Sequence, residues 1–184
     1  MGCIREALPV KLIVPMLSAS PVLLSEASAA LSARFGPVDY ASARLPFSYT
    51  TYYTEEMGPH LQRCFVSFEP LIDAGALAEI KLTTNALEQQ WSECGKRGVN
   101  LDPGYLAPGK LVLATTKDHA HRIYLDRGIY AEVTLAYRDG AFAPWPWTYP
   151  DYRSADYHAI LRQIRTLYME QLRAQQRPNH SSGD

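Results

Sequence analysis

From residue 122 to residue 135 the chain alternates between two faces, one of them apolar, and glycine-closed turns, Asp126-Arg127-Gly128 and Arg138-Asp139-Gly140, interrupt and follow that run. Period-two patterning with glycine where the backbone must go left-handed is a hairpin signal, so this part of the chain is committed to antiparallel sheet. Both turns fit three-residue loops in which the glycine closes a bulge. Pairing Leu125 with Ile129 sets the register: Tyr124 opposes Tyr130, Ile123 opposes Ala131 and Arg122 opposes Glu132. Ile123, Leu125, Ile129, Ala131, Val133 and Leu135 then form one buried apolar face. Arg122, Tyr124, Tyr130, Glu132 and Thr134 share the other.

The earlier part of the chain supplies the rest of the sheet and its cover. Residues 10–17 read as a buried strand. Ser20-Pro21 gives an N-cap and a proline in the first helical position, and Leu24, Ala27, Leu31 and Phe35 follow at helical spacing until Gly36-Pro37 stops the run. Residues 38–47 and 61–68 are two further strands. A helix over residues 76–94 carries Leu77, Ile80, Thr84, Leu87 and Trp91 on one stripe, ahead of Gly95. Asp102-Pro103-Gly104-Tyr105 reads as a rigid turn between short strands at 99–101 and 110–115. The order β-α-β-β-α-β predicts a ferredoxin-like core of class α+β, extended by an antiparallel hairpin. A C-terminal helix over 154–175, capped by Ser154, completes a single domain spanning 1–176, and 177–184 is a polar tail expected to be disordered.

The size and composition exclude several classes. A chain of 184 residues suits one well-buried domain. A net charge of −1 gives no overall pull towards nucleic acid or anionic membrane. Cys3, Cys64 and Cys94 form no Cys-x-x-Cys pair, which argues against a disulfide scaffold or structural zinc and fits a reducing cytoplasm. Met1-Gly2-Cys3 hints at acylation, but Glu6 stands where the pattern wants Ser or Thr. No apolar run approaches membrane-spanning length, so no membrane partner is expected.

Polar chemistry concentrates around the first hairpin. Arg122 opposite Glu132 is either an exposed cross-strand salt bridge or a ligand-facing floor where arginine meets an anion and glutamate orients it. Lys117, Asp118 and His121 lie just upstream, and Asp102 is fixed by its turn. Such a set suits phosphate binding or acid–base work, while a charged loop before a strand is the plain alternative. His119-x-His121 puts two imidazoles on one side of an extended segment, without a third metal ligand at a diagnostic spacing, so no metal or cofactor is expected. Tyr49, Tyr52, Tyr53 and Met57, and again Trp145, Trp147, Tyr149 and Tyr152, occupy irregular segments that serve as lids, stacking platforms or plugs for an open core. Arg162, Arg165 and Arg173 read as a solvated helix face.

Several motifs are near misses. Gly104 to Lys110 matches the glycine–lysine spacing of a phosphate-binding loop, but Leu111 replaces the magnesium-binding hydroxyl. Pro108 also removes an N–H, and a strand-like run follows where a helix is required. Thr116-Lys117-Asp118 lacks one residue of a guanine-reading motif. There is no nucleophile elbow, and no paired His-x-Ser/Thr of two-histidine phosphoesterases.

Longer stretches carry a family likeness. They run from Asn100-Leu101-Asp102-Pro103-Gly104-Tyr105-Leu106 through residues 110–118, His121-Arg122-Ile123-Tyr124-Leu125 and residues 128–135 to Trp147-Thr148-Tyr149-Pro150-Asp151-Tyr152. With Phe35-Gly36-Pro37-Val38-Asp39-Tyr40 and residues 52–58, they resemble the bacterial family called domain of unknown function 4416 over nearly the whole chain. The resemblance implies no catalytic residues. Members sometimes carry a GTP-binding label, which the incomplete loop does not support physically.

The sequence therefore leads to a cytoplasmic domain that binds or processes a phosphate-bearing small molecule or an RNA end. Asp102, Lys110, Lys117, Asp118, His121, Arg122, Tyr124, Tyr130 and Glu132 would line its site. The alternatives are a protein-interaction module without catalysis, and GTP binding as the label has it. Whether a reaction occurs, and the oligomeric state, are not written in the sequence.

Overall fold

Ser20 begins the first helix as its position requires: its Oγ accepts the Leu23 N–H, and Pro21 occupies the first turn. In this computed structural model, which describes residues 2–176 except Arg5, Thr51 and Tyr52, that helix is the second element. The order is β1 (Val10–Ser18), α1 (Pro21–Phe35), β2 (Val38–Ala41), β3 (Leu45–Pro46), α2 (Thr54–Met57), β4 (Gln62–Ile72), α3 (Leu77–Gln89), β5 (Ser92–Glu93) and β6 (Lys96–Arg97). Then follow β7 (Asn100–Leu101), β8 (Gly104–Ala107), β9 (Lys110–Thr115), β10 (Ile123–Asp126), β11 (Ile129–Arg138), β12 (Ala141–Pro144) and α4 (Ala155–Gln176). The tail at 177–184, Tyr52 and Met1 lie outside the described residues.

One antiparallel sheet organises these elements in the order β10-β11-β9-β8-β1-β4-β2. β12 adds to β11, β3 to β4 and β7 to β1. Alternation along β1 divides the core. Leu12, Val14 and Met16 pack with Leu24, Ala27 and Leu31 of α1 and Ile80 of α3. Ile13 faces the other way, with Phe65, Tyr157, Ile160, Leu161 and Ile164, under α4. The protein is thus a mixed α/β structure, a large antiparallel sheet with two long helices on one face and the C-terminal helix on the other. β1 is buried along its whole length, Lys11 included. That ammonium is satisfied by Asp39, by Phe68 O at 2.6 Å and by Gln171 Oε1 at 2.9 Å.

Several expectations are corrected. Residues 38–47 form two short strands instead of one, and the second helix stops at Gln89. Beyond it, Ser92–Glu93 and Lys96–Arg97 pair as a small hairpin. Asp102-Pro103-Gly104-Tyr105 is not a turn. β7 pairs with β1, the Asp102 N–H bonds Pro15 O, and from Gly104 onward β8 pairs with both β1 and β9, whose Ala114 N–H reaches Pro103 O. Gly104 is therefore a strand residue, and a Cβ there would stand 2.3 Å from Val112 O. Arg165 of the expected solvated stripe lies 3.6 Å above the Tyr137 ring and donates to Pro108 O.

The hairpin loops are two residues long, not three. Asp126 pairs with Ile129, and Arg138 with Ala141. The loop residues Arg127-Gly128 and Asp139-Gly140 all have positive φ, the signature of type I′ turns, whose twist matches that of the strands. Ile123 does oppose Ala131, and Tyr124 opposes Tyr130, but a register shift at Leu125 intervenes before Asp126. A second shift, at Thr134, sends Leu135 to the α4 side. The expected burial of Ile123 fails: it is 68% exposed. β10 is the outermost strand, beyond the apolar cover that α3 gives Ile129, Ala131 and Val133.

Candidate functional site

β7 pairs with β1 alone, whereas β8, beyond Asp102-Pro103, lies between β1 and β9, and a crevice of about 670 Å³ opens at the β7 end of these strands, beside Asn100, Asp102 and residues 113–117. Residues from both sides of the sheet line the crevice. Lys81, Asn85 and Glu88 reach it from α3, and Arg63, Asp151, Arg122 and Glu132 from the opposite side. Phe47, Tyr49, Tyr53 and Tyr149 add an aromatic wall from the two irregular segments.

At the floor, Arg63 is 3% exposed, and its Nη1 donates to Asp102 Oδ2 at 3.1 Å while its Nη2 lies 3.9 Å from Asp151 Oδ2. Asn100 Nδ2 donates to the same Asp102 oxygen at 2.7 Å. Burial alone would raise the Asp102 carboxyl, but Arg63 and Lys81 outweigh it and hold the group below its ordinary value. Burial wins at Asp151, whose carboxyl is raised. The Tyr152 hydroxyl and Arg63 Nε are buried without hydrogen bonds, and burial drives the Tyr152 and Tyr157 phenols upward against the pull of the Arg63 charge.

The α3 wall has its own pattern. Lys81 Nζ donates to Leu101 O at 2.8 Å, and Glu88 Oε1 accepts the Leu101 N–H at 2.6 Å. Glu88 Oε2 meets Arg97, which also binds Glu56 and Asn100. Burial raises the Glu88 carboxyl. The Arg97 contact holds Glu56 low.

On the hairpin side, Arg122 Nε donates to Glu132 Oε2 at 2.9 Å, and both side chains are 4% exposed. The pair is not on a solvated face, because the segment carrying Trp145, Trp147 and Thr148 covers β11. Trp147 Nε1 donates to Val133 O, and Thr148 Oγ1 to Thr134 O. Arg122 also reaches Lys117 O and the Tyr149 hydroxyl. His121 Nε2 shares Glu132 Oε2 at 3.0 Å, its ring stacked between His119 and Trp147.

Of the residues expected from sequence, Asp102, Lys117, Arg122 and Glu132 line the crevice. His121 stands behind Glu132, and Asp118 hydrogen-bonds the Tyr130 hydroxyl. Tyr124 packs edge-on against Tyr130 beyond the crevice. Lys110 is not brought in: it starts β9 at the far end of the sheet, in a hairpin with Ala107. The stretch Gly104–Lys110 is thus two strands and a turn, without the loop-to-helix geometry of a phosphate loop. Sequence reasoning missed Arg63, Lys81, Glu88, Arg97, Asn100 and Asp151. The available signal was on α3, where Lys81, Thr84 and Glu88 make a polar stripe beside the apolar one.

The family model described as a domain of unknown function, DUF4416, matches residues 8–168. The chain belongs to the DUF4416 family. The match encloses every crevice residue of this DUF4416 domain, from Phe47 to Asp151, and the family description assigns no activity. No curated protein and no solved structure matches the chain. Among the described residues of the DUF4416 domain, no group of three or more His, Cys, Asp or Glu side chains is arranged to hold a metal, and no helix is long and apolar enough to cross a membrane.

Proposed function

We propose that the crevice binds a phosphate-bearing small molecule, the reading that its charge and shape support best. The observation that carries it is convergence. Arg63, Lys81, Arg97, Lys117 and Arg122, drawn from separate segments, line one cavity of about 670 Å³ with Tyr49, Tyr53 and Tyr149. That volume lies within the roughly 300–1,000 Å³ typical of small-molecule sites. Glu88, Asp102, Glu132 and Asp151 hold the cations in place, and five cations against four carboxylates in the lining leave a positive excess for an anion. Asp102, ionised and fixed through Oδ2, offers Oδ1 to a ligand hydroxyl or to proton transfer.

The fold reading that goes with this site is a ferredoxin-like core, supported by the strand order β8-β1-β4-β2 with α1 and α3 on one face. GTP recognition through residues 104–110 has no support in the hairpin those residues form.

The test is a thermal-shift screen against nucleotides, sugar phosphates and 5′- or 3′-phosphorylated RNA oligonucleotides, on the wild type and on Arg122→Lys. A ligand at a hundred times its Kd adds about 2.7 kcal/mol, so a wild-type shift of about 5 °C or more is expected, reduced in the variant. A screen in which no phosphate-bearing compound moves the transition overturns the proposal.

A further inference from the structure

Each arginine of the crevice is matched to an acidic group: Arg63 to Asp102 and Asp151, Arg97 to Glu56 and Glu88, Arg122 to Glu132. Lys81 differs. It is 6% exposed, and its ammonium donates only to a neutral carbonyl, Leu101 O, with no carboxylate in ion-pair contact among the described residues. Glu88 and Asp102 are near enough to feel its charge. Their bonded oxygens are already taken, by Leu101 N and Arg97 for Glu88 and by Arg63 and Asn100 for Asp102.

A buried ammonium with unclaimed protons is costly. Three donors with one in use leave two for whatever occupies the cavity that Lys81 lines. Asn85, one turn further along α3, and Thr115, at the end of β9, line the same crevice, and α3 packs against β9. A compact ammonium suits phosphoryl oxygens, which it binds as a point charge without the planar fork that a carboxylate rewards.

We propose that Lys81 anchors a phosphoryl subsite between α3 and the end of β9. This rests on the crevice being a phosphate-ligand site, and it names the group that carries recognition. The subsite sets Lys81 apart from Arg122: the ammonium takes the anion directly, while the Arg122 guanidinium is held by Glu132 and shapes the opposite wall.

The experiment is titration of the full chain with inorganic pyrophosphate by calorimetry, and with succinate at matched ionic strength, on the wild type and on Lys81→Met. Methionine keeps the length and removes the charge. The expected result is pyrophosphate binding in the wild type, weakened at least tenfold in Lys81→Met, while the melting temperature of the variant stays equal or rises. A lysine that served only to hold Leu101 would give the opposite: a lower melting temperature and unchanged binding, which overturns the subsite and leaves the crevice reading standing. No wild-type binding of pyrophosphate overturns the subsite, and the crevice reading falls with it only when the screen of phosphate-bearing compounds is negative as well. Succinate bound as tightly as pyrophosphate overturns the phosphoryl class. Should Lys81→Met fail to fold, amide shifts in the wild type decide: pyrophosphate must move Lys81, Asn85 and Asp102, and movement confined to residues 122–132 rejects the proposal.

Discussion

Asp102 and Asp151 lean on opposite nitrogens of one guanidinium, Arg63, yet their carboxyls move in opposite directions, Asp102 down and Asp151 up. Lowering in the fold means that ionised Asp102 stabilises the protein above the unfolded carboxylate pKa of about 3.9, and that this is lost as pH falls through the folded value. Asp151 has the reverse sign. Its contribution is present below the unfolded value and lost as pH rises through the folded one. Asp102→Asn should therefore cost about 1–3 kcal/mol near pH 7, with the gap closing in acid. Asp151→Asn should fare better relative to wild type at pH 7 than at pH 4. Urea denaturation across this range checks both, and parallel pH profiles for the two variants would contradict the assignment.

Arg122 and Glu132 form a buried pair, so removing one partner leaves a charge uncompensated. Glu132→Ala should lower stability by about 3–5 kcal/mol, well beyond the 0–1 kcal/mol of a surface salt bridge. Arg122→Lys keeps the charge and loses the fork, so its main effect should be on ligand response. Equilibrium unfolding of Glu132→Ala with a loss under 1 kcal/mol would place the pair at the surface after all.

Gly104 is fixed by proximity, not by a left-handed turn. A methyl group at that position would meet Val112 O at 2.3 Å and Leu113 Cδ2 at 2.6 Å, both on the strand it pairs with. Gly104→Ala should cost about 1–3 kcal/mol or more, because β8 must move off β9. A melting temperature unchanged from wild type would show that the strands can part without penalty.

Lys110 stands at the end of the sheet away from the crevice. Lys110→Ala should leave every phosphate-ligand response intact and change stability by no more than about 0.5 kcal/mol. Calorimetry with GTP and Mg²⁺ gives the check. Micromolar affinity that disappears in the variant would restore residues 104–110 as a nucleotide loop.

What could be read from the sequence was local. The first hairpin positions its partners within a few residues, so the approach of Arg122 to Glu132 followed from a turn and a period of two. The side-chain contact survived the misjudged loop length because the shift at Leu125 falls on the turn side of Tyr124. Asp139-Gly140 also carries the dipeptide that favours a two-residue loop, so that correction lay within reach of the chain itself. The floor of the crevice was different. Arg63, Lys81 and Asp151 come from a strand, a helix and a short 3₁₀ turn that only the sheet order unites, and no spacing in the chain ties them together. The exposure of Ile123 has the same origin: alternation says which residues share a face, not whether anything covers that face.

That uncovered strand bears on solubility. β10 ends the sheet, so one row of its backbone groups has no partner strand, and it presents Ile123, Tyr124 and Leu125 to solvent with no proline or lysine among them. An edge of that composition templates aggregation when it is long and flat. Here it is four residues long and kinked at Leu125, with Asp126 and Arg127 closing it. Deleting Leu125, which would bring β10 into an unbroken register with β11, is therefore expected to give a protein that folds but precipitates at a lower concentration than wild type.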